Sequence, residues 1–384
     1  MPDTDLPDDT PYSRYRATRF FGSLNGLRFV CIIAVMWHHS PVRGAWPDAP
    51  LALLRGFVGV DFFFVLSGFL ITTLLLREED REGRFSLRGF YWRRILRIVP
   101  VYFFVVTVVS AYFILVKGQG ALVPLVPYYY LFLSNMLVED IPLLTITWSL
   151  AVEEQYYMIW PLLLLLVPAR AGRGRARIWM LLGLIAGCIA VATGMIGQGG
   201  GLRTEHALWR LPATGYSAIL IGALLAVVLH MPSGFAGLYR LLGHRVAPVV
   251  LFVALGAVLQ FIPGMLEGWP NVVMHSVMAL CLASIVLRED HLLAGVFSWR
   301  LPARIGEISY GLYLYHMIGR HFGVEIGARL GLPSALEPWA QTLLFAVISI
   351  LIAEVSFRSL EAAFLRLKGR SRPIGEGEGA SRPS

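Results

Sequence analysis

Apolar runs of about twenty residues recur from residue 20 to residue 357, divided by short polar segments. Each run is near the ~20 residues that an α-helix needs to cross the hydrocarbon core of a bilayer. Ten spans are expected, at 20–40, 56–76, 97–116, 148–168, 178–197, 211–229, 247–263, 271–287, 305–323 and 337–357. The expected fold class is therefore all-α: a polytopic membrane protein of about ten transmembrane helices in a single bundle. Within the long loop 117–147 the stretch PLVPYYYLFLSNML is apolar but short for a span, and reads as interfacial or re-entrant.

Composition agrees with this reading. Hydrophobic residues make up 56% of the chain and charged residues 15%, a balance unlike that of soluble domains. The N-terminus, MPDTDLPDDTPYSRYRATRF, opens acidic and has no apolar core with a small-residue cleavage site, so the first span is expected to be retained. Residues 1–19 read as a cytoplasmic segment, 20–363 as the membrane domain, and 364–384 as a disordered Gly-, Ser- and Pro-rich tail. No attached soluble catalytic domain is expected. Arginines cluster beside the span ends on one side, most densely in 77–96. This places both termini in the cytoplasm of a multi-pass protein of the cell's inner membrane. The same clustering accounts for the net charge of +8, so no nucleic-acid partner is expected. Cys31, Cys188 and Cys281 lie inside apolar runs and read as small core residues.

Polar groups within apolar spans are expensive and mark function. In the first span Arg28 precedes His39 by eleven residues, about three helical turns, so both fall on one face, ~16 Å apart along the axis. His38 lies one residue off that face and reads more readily as packing. Four further constellations stand out. GVDFFFVLSGFL carries Asp61. FYWRRILRIVPVY carries Arg93 and Arg97, four apart on one helix face. TWSLAVEEQYYMIWP carries Glu153 and Glu154. IGEISYGLYLYHMI carries Glu307, Tyr310 and His316. Smaller candidates are Arg210, Glu354 and Glu361. The basic groups near 93–97 also fit plain positive-inside anchors, and His316 also fits a satisfied core histidine. Several chemistries lack their motifs. The chain has no G-x-S-x-G elbow, no P-loop and no G-x-G-x-x-G, no histidine with an aspartate five residues on, and no cluster with metal-ligand spacing. No metal and no bound cofactor are expected.

These motifs together resemble acyltransferase family 3, membrane proteins that O-acylate cell-surface sugars and other acceptors. SLNGLRFVCIIAVMWHH resembles the family's first span, a D-G-L-R start with a histidine eleven residues after the arginine; that offset selects His39, and Asn25 stands where the family usually has aspartate. GVDFFFVLSGFLI, RRILRIVP, TWSLAVEEQYY, ISYGLYLYH and AEVSFRSLEAAF resemble further signatures in the family's order, from about residue 22 to 365.

The resemblance implies a cytoplasmic acyl-CoA donor, commonly acetyl-CoA, and a carbohydrate or glycan hydroxyl as acceptor at the outer face. Arg93 and Arg97 are then the expected ligands of the donor's phosphates, with Arg28 deeper along its path. His39 would be the general base, or an acyl-carrying nucleophile. Glu153 is the expected orienting carboxylate, and Asp61 is the other catalytic candidate for that role or an acceptor-side group. Ser67, Ser149 and Tyr157 are candidate oxyanion donors; His38, Arg210, Tyr310 and His316 are secondary site candidates. The competing class is a proton-coupled transporter, because intramembrane Arg, His and Glu mark carriers too.

Overall fold

The computed structural model describes residues 10–18, 20–167, 172–197, 201–262 and 268–367. The expected tail beyond 367 and the first nine residues lie outside them. A helix occupies each of the ten expected stretches. With a further helix, α7, between two of the expected stretches, the chain order is α1 (Ser23–His38), α2 (Gly59–Glu82), α3 (Leu87–Ala111), α4 (Thr147–Leu166), α5 (Arg173–Ala192), α6 (Ser217–His230), α7 (Pro232–Leu242), α8 (Ala247–Phe261), α9 (Trp269–Val286), α10 (Ser309–Ala328) and α11 (Glu337–Ser356). Pro232 starts α7 after a sharp bend of 104° from α6, since proline lacks the N–H needed to continue the earlier helix.

Among the described residues five helices are long and apolar enough to cross a membrane, or six if the bent α6–α7 pair is one span. This is fewer than ten for two reasons. α1 and α8 are apolar but only 16 and 15 residues long. α4 and α10 have the length, at 20 residues each, but carry the polar side chains that single them out in sequence. The short apolar stretch 124–137 is no span. It folds into brief helical turns, Gly120–Leu125, Val126–Tyr130 and Ser134–Met136, with Tyr129 fully buried. The Tyr129 hydroxyl donates to Asp140 at 3.0 Å, and burial pushes the Asp140 carboxyl above its ordinary range.

Near its C-terminal end α2 carries three consecutive acids, Glu78, Glu79 and Asp80, each with a different partner. Successive helical residues turn by about 100°, so a run of three points three ways. Glu78 accepts from Arg93 of α3 at 2.8 Å, Glu79 from Arg177 of α5 at 2.8 Å, and Asp80 pairs with Arg16 and with His230 of α6, the latter at 3.0 Å. Arg16 belongs to the short helix Pro11–Ala17, so the N-terminal segment is docked on the bundle. A helical turn, Ala362–Leu367, continues past residue 363.

Small residues set the closest helix crossings, as they do where lipid supplies no hydrophobic drive. Gly319, Gly323 and Gly327 lie one turn apart on α10 and face α11. A Cβ at Gly323 would stand 2.5 Å from the Phe345 backbone nitrogen, and one at Gly319 2.0 Å from Ser349 Oγ. Gly68 and Gly222 do the same for α2 and α6, where a Cβ would meet backbone carbonyls at 1.9 and 2.0 Å. The glycine stripe on α10 therefore fixes where His316, three residues before Gly319, is carried. Gly323→Leu should force α10 and α11 apart and destabilise the protein by about 1–3 kcal/mol, the range for overpacking a tight core. Thermal unfolding of the purified protein would show this as a lower Tm; an unchanged Tm would mean that the crossing is not tight.

Candidate functional site

A cavity of about 760 Å³ runs beside α2, within the ~300–1,000 Å³ usual for ligand pockets. Its walls follow that helix from Val60 to Arg81, a separation of ~31 Å at the helical rise, comparable to the hydrocarbon thickness of a bilayer. At one end stand Arg77, Glu78, Arg81 and Arg93; Arg28, Arg94 and Arg97 follow, then Ser67, Glu153, Tyr157 and Tyr310, and Ser149, Tyr313 and Val60 close the far end.

The arginines are not equivalent. Arg93 is bound to Glu78, whose side chain is only 11% exposed, so most of its charge is answered within the protein. Among the described residues Arg28, Arg94 and Arg97 have no carboxylate within ion-pair distance. Arg28 donates to the neutral Asn25 Oδ1 at 2.8 Å; the asparagine that departs from the family pattern thus leaves its cation uncompensated. Arg94 lies over the rings of Phe90 and Tyr157, at 5.8 and 5.2 Å, a weak compensation. Arg97 is exposed to the cavity. The sequence pairs Arg93 with Arg97 by their four-residue spacing. The structure instead groups Arg94 with Arg97 and Arg28, because Glu78 claims Arg93. Nothing local in the sequence reveals that claim, since Glu78 and Arg93 lie on different helices.

The carboxylate Glu153 is also placed otherwise than expected. It accepts hydrogen bonds from Ser67 and Tyr157 and makes none to His39. Asp61 stands near His275 Nε2 at 3.5 Å, and the His275 ring meets Ser217 Oγ at 2.9 Å through Nδ1. Asp61 is thus held with His275 and Ser217 between α2, α6 and α9, and makes no hydrogen bond to the imidazole it was expected to orient. Tyr310 donates to the Ile98 carbonyl at 2.9 Å while lining the cavity. Arg210 lies exposed just after the small hairpin Leu202–Arg203 and Leu208–Trp209, outside the cavity lining.

His39 closes α1 and is half-buried. Its Nδ1 is 3.0 Å from the Val35 carbonyl. A carbonyl oxygen can only accept, so Nδ1 carries the proton and Nε2 of the neutral ring keeps its lone pair, the form a general base needs. Arg320 Nε donates to the His39 carbonyl at 2.7 Å, tying α10 to the end of α1. The His39 ring lies 5.1 Å from His38 and 5.0 Å from His316, and His316 lies 5.5 Å from Tyr313. His39 itself is not part of the cavity wall. A ladder of rings, Tyr313 then His316 then His39, joins the far end of the cavity to His39. Tyr313 was missed in sequence, although its place one turn before His316 puts both on one face of α10. Its hydroxyl meets Ser149 Oγ at 2.7 Å.

A family model described as an acyltransferase domain matches residues 21–356, and the chain belongs to this family, acyltransferase family 3. It is similar to "Peptidoglycan O-acetyltransferase OatA" of Listeria monocytogenes, 27% identical over 92% of this chain and 56% of the relative. It is also similar to "Putative peptidoglycan O-acetyltransferase YrhL" of Bacillus subtilis, 28% identical over 79% of this chain and 49% of the relative. The chain spans about half the length of the curated relatives it matches. No solved structure matches it.

Three guanidinium groups with no carboxylate within ion-pair distance face one cavity, a lining whose chemistry suits an anion, since buried charge is tolerated chiefly where it is paired. Inorganic pyrophosphate should raise the Tm of the purified protein through this site. Arg94→Ala and Arg97→Ala should each weaken that effect about tenfold in pyrophosphate concentration, whereas Arg93→Ala should leave it nearly intact. Equal loss in all three would return Arg93 to the anion site.

Proposed function

We propose that this protein is a membrane O-acyltransferase that moves an acyl group, by the relatives' names acetyl, from cytoplasmic acyl-CoA to a hydroxyl of a cell-envelope glycan at the outer face. The observation that carries the reading is one cavity with three arginines outside ion-pair reach of any described carboxylate near one end and a hydroxyl-lined end beside a histidine pair. The arginine-rich end faces the cytoplasm in this reading, with both termini on that side, in agreement with the sequence distribution of arginine.

The donor's phosphates bind Arg28, Arg94 and Arg97, where guanidinium groups offer paired N–H donors to phosphate oxygens. The pantetheine arm then follows α2 and brings the thioester to Ser149 and Tyr313. Placing the phosphates at Arg28 and the reactive carbonyl near His39 requires a donor with a long flexible arm, because those positions are ~16 Å apart along one helix. The acceptor hydroxyl enters from the side of segments 41–55 and 117–147. His39 Nε2 takes its proton as the oxygen attacks the thioester carbon. The C–O bond forms, the C–S bond breaks, and the proton passes from the imidazolium to the departing thiolate. In this reading the developing oxyanion draws on the Tyr313 or Ser149 hydroxyl, each of which must first turn away from the Ile146 carbonyl to which it donates at rest. Glu153 orders Ser67 and Tyr157 along the donor's path, and the Arg94 guanidinium rests on that tyrosine ring.

His39→Ala should lower acetyl transfer by ~10²–10⁴-fold, the usual contribution of positioned acid–base catalysis, with protein level and Tm kept. The measurement is acetyl release by mass spectrometry from surface glycan of cells carrying either form. Retained transfer would remove His39 from the chemistry. Transfer that never depends on this chain in any glycan, with proton-coupled uptake of a solute in its place, would turn the reading to a carrier.

A further inference from the structure

His316 is fully buried at 0% exposure, and its Nδ1 stands 2.6 Å from the Tyr313 carbonyl. That carbonyl requires Nδ1 to carry the proton, which leaves the lone pair on Nε2. This Nε2 has no hydrogen-bond partner. A buried acceptor left unmade costs roughly 1–3 kcal/mol, so a bundle gains nothing by keeping it unless some state fills it. The polar group beside it is the His39 ring, whose Nδ1 proton is likewise committed to a backbone carbonyl. Two neutral rings each offer only a lone pair at Nε2 and cannot bond. Once His39 gains a proton, its Nε2 becomes a donor. The rings are tilted by 53° and no hydrogen bond joins them at rest; a ring rotation that turns the two Nε2 atoms toward each other along the 5.0 Å line between centroids brings them to ~2.8 Å, within hydrogen-bond range.

We infer that His316 is a positioning residue that holds the proton His39 removes from the acceptor hydroxyl, accepting a hydrogen bond from the imidazolium and only from the imidazolium. This deepens the acyl-transfer reading and rests on it for the identity of the proton's source. The acceptor's O–H bond breaks and the His39 Nε2–H bond forms; His316 Nε2 accepts that hydrogen, which keeps the proton from returning to the attacking oxygen until the sulfur leaves and takes it. No proton is gained or lost in the cycle. The arrangement favours the charged form of the base and not the resting one, which is the condition for lowering a barrier.

The titratable groups that face His39 are His38 on its own helix, Arg43 on the short helix Pro41–Ala45 that follows, and Arg320 beside His316 on α10. Among the described residues no carboxylate is paired to His39. With Nδ1 held by the Val35 carbonyl, the ring that offers a lone pair to the other nitrogen of a protonated His39 is His316, and the glycine stripe against α11 sets its height on α10.

Hydrogen–deuterium exchange at the imidazole C2 position, read residue by residue in mass spectrometry of the full chain in detergent, reports the titration of His39 with no dependence on turnover. The midpoint for His39 should fall by half a pH unit or more in His316→Leu and recover toward wild type in His316→Gln, which restores an acceptor oxygen in place of Nε2. Acetyl transfer should drop about 10–100-fold in kcat for His316→Leu, with KM for the donor within about twofold, and the Gln variant should regain at least part of the loss. An unchanged His39 midpoint in both variants, or a Gln variant no better than Leu, would reduce His316 to packing. Absence of acetyl transfer in the unaltered protein would overturn the acyl-transfer reading alone, since the exchange midpoint tests the pair by itself.

Discussion

The constraint around which the bundle is arranged is the placing of Arg28, Arg94 and Arg97 along one cavity without a direct ion pair among the described residues. A guanidinium in an apolar bundle needs a counter-charge, water or a ligand. The acids at the end of α2 are within the same region, yet each is spent elsewhere: Glu78 on Arg93, Glu79 on α5, Asp80 on the N-terminal helix and α6. Those pairs hold helices together at one end. By occupying the carboxylates of that helix end they also leave the three cations without a direct ion pair, while Glu153 in the cavity wall is held by Ser67 and Tyr157. If the acids were distributed otherwise, the cavity would close on its own ion pairs.

Much of this was legible in the chain, and the parts that were not share one cause. The helical positions followed from hydrophobic runs, because burial in lipid acts on every residue of a span. Arg28 and His39 could be placed on one face because their relation lies within a single helix, where spacing fixes geometry. Arg93 was singled out with Arg97 by the same kind of spacing argument, which could not foresee its contact with Glu78 of a neighbouring helix. The contacts of Glu153 and Asp61 were equally out of its reach. Their partners, Ser67 and His275, are 86 and 214 positions away, and no periodicity connects them. His316 was noticed as a polar group in an apolar run, but its meeting with His39 depends on how α10 crosses α1.

That crossing is itself physical and local in origin. Arg320 reaches the carbonyl at the end of α1, and the Gly319, Gly323 and Gly327 face lets α10 sit close against α11. A bulkier residue on that face would move His316 by a distance comparable to a hydrogen bond, which is the scale on which proton transfer fails. Small residues with no chemistry of their own thus govern whether the two imidazoles meet.

The distance between anion site and base is governed differently, by one continuous helix. α1 holds Arg28 and ends at His39, so the ~16 Å between them is a property of helical rise and resists change from the packing around it. The lateral contacts that bring Tyr313, His316 and Arg94 to the site are adjustable by substitution elsewhere. A relative could therefore change its acceptor, or the shape of the cavity's end, through α4 and α10, while the reach demanded of the donor stays constant. The axial dimension is set by the backbone and the lateral one by side chains. This division explains why the Arg28-to-His39 offset is readable in sequence when the residues that surround both are not.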